Sequence, residues 1–136
     1  MTFPNVQYLD TSNSIVLSDL LTVFPYLRNV TTTGYLSKNW TADILQVKEH
    51  SLMSLSFCHF NLQDKRFDFN ELLKVLKAQR PGFWLRISFI GPPGQFESQL
   101  PGLKQFLDQH LVRGGIPWTQ KTCTHVSIQS ETWHVP

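Results

Sequence analysis

The sequence predicts an α+β domain in which a mainly antiparallel sheet carries helices on its outer side. Three observations support this. From residue 54 onward, strand and helix signals alternate as strand, helix, strand, helix, strand. The first and last of those strands hold near-copies of one short pattern built around a histidine. No linker or low-complexity run divides the 136 residues, of which 41% are hydrophobic and 16% charged. That balance fits a single globular unit with a core of its own and excludes a disordered tail.

Each element has a local reason. Residues 5–9 read as a first strand. Ser18 caps a helix running to about residue 27, with Leu20, Leu21 and Phe24 on one face, and Pro25 makes that helix short or kinked. Residues 31–38 are polar and contain a glycine, so they read as a loop. Residues 43–48 alternate as a strand does, and residues 54–63 form a better strand, rich in aromatic and aliphatic side chains. Asp68 and Glu71 match a capping box, and Phe69, Leu72, Leu73 and Leu76 recur at the spacing of one buried helical face. Arg80, Pro81 and Gly82 end that helix. Residues 83–90 form the strongest strand, with Phe83, Leu85, Ile87 and Phe89 on one side, and Gly91-Pro92-Pro93-Gly94 stops it. Leu103, Phe106, Leu107 and Leu111 mark a second clear helix, closed by Gly114 and Gly115. A short link then leads to the strand of His125.

Charge and composition exclude several classes. The formal net charge is +2, and no Lys/Arg block is long enough to track a nucleic-acid duplex. No apolar run reaches the roughly 18 to 20 residues of a membrane span. The first residues lack the charged lead and apolar run of a signal peptide, so the two Asn-x-Thr sequons at Asn29 and Asn39 are expected to stay unmodified. Two cysteines are too few for a secreted disulfide scaffold. The expectation is a cytoplasmic, monomeric domain that uses no cofactor and binds neither membrane nor long duplex.

The histidine windows carry the chemistry. Cys58-His59-Phe60-Asn61-Leu62-Gln63 and Thr124-His125-Val126-Ser127-Ile128-Gln129 share a histidine, an apolar residue, a small polar residue, an aliphatic residue and a glutamine. On strands, residues two apart face the same way, so His59 pairs with Asn61 and His125 with Ser127. Two such pairs predict a pseudo-symmetric site with one imidazole on each side of a substrate. A single histidine on an apolar strand is more often structural, and His50, His110 and His134, which lack the pattern, default to surface or helix roles. Cys58, His59, Cys123 and His125 supply zinc-ligand types, but adjacent Cys58 and His59 point oppositely on a strand, which argues against a metal.

The doubled pattern, H-Φ-[S/T]-Φ on two strands with helices between, resembles the two-histidine (2H) phosphoesterase superfamily. His125-Val126-Ser127-Ile128 fits fully, and His59-Phe60-Asn61-Leu62 departs where the family carries Thr or Ser. The resemblance spans roughly residues 43–129. It implies a bilobal fold with two mainly antiparallel sheets around a central groove, and metal-independent cleavage of RNA-type phosphodiesters. The compact form looks most like the viral branch, which includes coronavirus and torovirus enzymes and the C-terminal domain of the rotavirus capping enzyme. These destroy 2′,5′-oligoadenylate and so antagonise a host antiviral ribonuclease pathway in the cytoplasm.

On that reading His59 and His125 are the general acid and base, since one neutral and one protonated imidazole coexist near pH 7. Asn61 and Ser127 hold the phosphate oxygens. Lys121 and Arg86 are candidate cations, and Trp118 and Phe60 candidate base-stacking rings, although core or solvated positions are commoner for these four. The substrate expected is 2′,5′-oligoadenylate or another short RNA-like oligonucleotide. The alternatives are a 2′,3′-cyclic phosphodiesterase and a non-catalytic module that binds a ligand or protein, a toxin-neutralising immunity protein among them.

Overall fold

The computed structural model describes residues 6–12, 15–33, 40–47, 50–60, 68–90, 100–114 and 123–136, with backbone alone at 58–60, 89–90 and 100. Strand and helix alternate through most of the chain: β1 (Tyr8–Thr11), α1 (Leu17–Val23), β2 (Asn29–Thr32), α2 (Trp40–Gln46), β3 (Ser54–Phe60), α3 (Phe69–Ala78), β4 (Trp84–Ile90), α4 (Leu100–His110), β5 (Val112–Arg113), β6 (His125–Ile128) and β7 (Glu131–His134). The mixture of helix and strand is the one the sequence predicts.

Several elements follow their local signals. The carboxylate of Asp68 accepts from the main-chain N–H of Asn70 and Glu71, so the α3 cap forms as the sequence requires. Leu72, Val75 and Leu76 on the same helix are buried. Helix α1 ends at Val23, two residues before Pro25, as expected of an imino acid that cannot continue the ladder. Gly114, in the stretch expected to close α4, has φ +115°, a conformation that favours glycine.

Several elements differ from expectation: Ser18 lies inside α1, whose N-cap is Val16 with no side-chain cap, and β5 and β7 stand where no strand was expected. Residues 40–46 are helical because Trp40 and Ile44, one turn apart, both bury in the core. The alternation that starts at Asp43 is the shorter-range and weaker pattern. Residues 29–32 form a strand that runs two residues into the loop expected at 31–38, since Val30 and Thr32 are buried alternately with exposed Thr31. Their β-branched side chains suit a pleated surface despite their polarity.

The larger correction concerns the sheet. The described strands form one seven-stranded sheet in the order β1-β2-β3-β4-β6-β7-β5. β1, β2, β3, β4 and β6 run parallel, and only β7 pairs antiparallel, with β6 and β5. They do not form two mainly antiparallel sheets facing across a groove. The physical reason lies in the connections: strands that alternate with helices are joined by long crossovers, which bring the next strand in parallel.

Four successive crossovers each step to the neighbouring strand in one direction. Crossovers of this kind are right-handed in nearly every protein, which sets their helices on one side of the sheet. Packing agrees. Trp40 of α2 meets Phe57 of β3 with centroids 5.0 Å apart. Phe69 of α3 lies 5.6 Å from Phe106 of α4, and Trp133 of β7 donates from Nε1 to Asp108 of α4 at 2.9 Å. Beneath the helices runs a row of register partners, Leu9, Val30, Leu55, Leu85, Val126 and Trp133, and all but Leu9 at the sheet's edge are fully buried. Strand stacks on strand and helix on helix, as in the units of a solenoid.

Candidate functional site

The side chains between those core residues face the other way, and among the described residues no helix covers them. The first row on this open face is Tyr8, Asn29, Ser54, Trp84, His125 and His134. The next is Asp10, Thr31, Ser56, Arg86, Ser127 and Thr132. These are polar or aromatic-polar throughout, in contrast to the aliphatic rows beneath the helices.

Their centre is a packed cluster. The Trp84 ring lies 4.8 Å from the His125 imidazole at 32°. The Arg86 guanidinium sits 4.1 Å above the Trp84 ring. Trp84 Nε1 donates to Ser127 Oγ at 3.0 Å, and Ser127 Oγ shares a second hydrogen bond with Thr132 Oγ1 at 3.0 Å. The indole is therefore held by an arginine, an imidazole and a hydroxyl. Trp84 is half-buried and Arg86 exposed. Among the described residues no carboxylate or carbonyl accepts from the Arg86 guanidinium.

His125 is held neutral near pH 7. Burial lowers its pKa below the ordinary value of 6.5, the hydrogen bond to the Cys123 carbonyl partly opposes this, and the nearby charges of His134 and Arg86 lower it further. Its Nδ1 donates to the Cys123 carbonyl at 3.3 Å, which leaves Nε2 as an acceptor. The imidazole beside it in register is His134, which is buried and donates from Nδ1 to the Gly114 carbonyl at 3.2 Å.

The sequence-predicted residues divide as follows. His125, Ser127 and Arg86 come together in this cluster. Ser127 is only 6% exposed, with its oxygen engaged by Trp84 and Thr132, so it braces the indole. His59 lies on β3 in register with Phe89, five positions beyond Ser54, whose partner across Trp84 is His125. The two windows thus sit at unequal heights in one parallel sheet. Phe60 is described by its backbone alone, and Asn61, Lys121 and Trp118 lie outside the described residues. Sequence reasoning missed Trp84. Its signal was present, because Trp84 and Arg86 alternate with Phe83, Leu85 and Ile87 on the strongest strand and so occupy the other face.

The remaining histidines have local roles. His50 is buried and its Nδ1 accepts from the Leu52 N–H at 3.1 Å. His110 packs against Phe106, ring to ring at 4.4 Å. Among the described residues no group of three His, Cys, Asp or Glu side chains converges as a metal site would. No described helix is long and apolar enough to cross a membrane.

No family model, curated protein or solved structure matches this chain.

Proposed function

We propose that the chain is a non-catalytic recognition module that binds a protein partner through the open face of its sheet. The observation that supports it is the division of the strands: one side is a continuous apolar core, and the other is a broad, polar, aromatic-bearing surface over which no helix lies among the described residues. Stacked strand–helix units commonly present such extended surfaces to partners. Tyr8, Trp84 and Arg86 on this face are the residue types that dominate binding energy at protein interfaces. The unequal heights of His59 and His125 in the parallel sheet favour this reading over a two-histidine phosphodiesterase, which would bring both imidazoles to one phosphorus.

Two measurements test the reading together. Incubation with 2′,5′-triadenylate and 3′,5′-triadenylate in EDTA is expected to leave both intact. A photo-crosslinking phenylalanine in place of Tyr8, on the open face, is expected to give a discrete protein adduct in a lysate of the source organism. The same group in place of Lys74, exposed on α3, is expected to give none. Cleavage of the 2′,5′ linkage, or adducts from the Lys74 position alone, overturns the proposal.

A further inference from the structure

The two open-face rows differ in charge. The first carries none apart from its imidazoles, while the second carries two opposite charges, Asp10 at its edge on β1 and Arg86 at its middle on β4, in register through Thr31 and Ser56. Both charged residues are exposed. Among the described residues neither meets an opposite charge, whereas on the helix side Arg113 pairs with Asp108 at 2.8 Å and Lys104 with Glu131 at 2.9 Å. Adjacent strands lie about 4.8 Å apart, so three strand steps separate Asp10 from Arg86 by about 14 Å. An extended peptide advances about 3.3 Å per residue and covers that span in about four residues.

Resting on the open-face reading, we infer that this row binds an extended peptide segment of a protein partner, carrying an acidic side chain over Arg86 and a basic one about four residues away over Asp10. The guanidinium presents a planar fork of donors that a carboxylate can accept in bidentate fashion. Its position over Trp84, itself fixed by Ser127 and His125, means that little freedom is lost when the carboxylate arrives. Thr31 and Ser56 offer hydroxyls to the peptide main chain between the two charges. A nucleic-acid strand fits this row poorly. It brings only negative charge, it needs several cations along its path, and Asp10 repels it.

The test is an NMR titration of the 15N-labelled chain with a nine-residue synthetic peptide holding one Glu and one Lys four positions apart in an Ala/Ser background. Shifts are expected at the Trp84 indole N–H, the Arg86 Nε–H and the Asp10 amide, with binding in the millimolar range or tighter. Arg86→Glu is expected to weaken binding at least tenfold. A peptide with Lys in place of its Glu is expected to restore binding to that variant, which a merely structural role for Arg86 would not allow. Absence of shifts at millimolar peptide, equal binding by Arg86→Glu, or a stronger response of the same signals to triadenylate overturns the inference. If the Tyr8 crosslink still forms while the peptide fails, this inference falls and the open-face reading stands.

Discussion

The two faces of one sheet do different work with the same strands. Under the helices, Leu55, Leu85 and Val126 sit in register with no exposed surface. One residue along, Ser56, Arg86 and Ser127 form a polar row. The period of two makes this possible: each strand gives alternate side chains to packing and to the surface, so the surface residues can vary without disturbing the fold. The helix side is also where the charges find partners, since Asp108 takes both Arg113 and the Trp133 indole. Among the described residues, Asp10 and Arg86 on the open face meet no opposite charge.

The comparison breaks most readily at its centre. Leu85→Ala removes a fully buried side chain between helices and sheet and should cost about 2–5 kcal/mol in urea denaturation. Arg86→Gln, one residue away on the open face, should stay within about 0.5 kcal/mol of the parent. Equal losses at the two positions would mean that the open face is as much a part of the folded core as the covered one.

A smaller effect sharpens the picture of the open face itself. Trp84→Phe and Ser127→Ala each delete the indole–hydroxyl hydrogen bond and should each cost about 0.5–1.5 kcal/mol. Because both remove the same bond, the double variant should lose less than the sum. Strict additivity would show that the indole is not held by Ser127.

The smallest expected effect is in pH. Burial lowers the pKa of both His50 and His125, Arg80 lowering that of His50 further against a hydrogen bond with Gln79 that raises it. The folded state therefore resists protonation more than the unfolded chain does. Their contribution to stability is fully present above about pH 6.5 and is lost as pH falls through that value toward the lowered folded pKa values. Urea midpoints should fall between pH 7.5 and 5.5. His50→Asn, which can still accept from Leu52 N–H, should flatten part of that fall. A midpoint that does not move would mean that neither imidazole is held neutral by the fold.

Much of the chain could be read locally. The Asp68 cap, the apolar stripe of α3, the stop before Pro25 and the alternation of β4 all depend on neighbours a few residues away, and all are present in the structure. The strand at residues 29–32 and the helix at 40–46 were misread because Thr-rich and alternating segments are decided by what they pack against. Of the residues that the sequence singles out, His125, Ser127 and Arg86 lie together around Trp84. Trp84 was overlooked because a tryptophan on a strand is usually read as core.

The sequence by itself determined the start of α3 and the alternation of β4, because a cap and an apolar period act over a single turn or a single strand. It did not determine how strands would pair. Parallel and antiparallel neighbours bury the same alternate residues, and only the long helical crossovers, closing on one side of one sheet, select between them. The same closure placed Arg86 beside Ser127 and set His59 at another height from His125. That relation depends on register between strands far apart in the chain, which no short window contains.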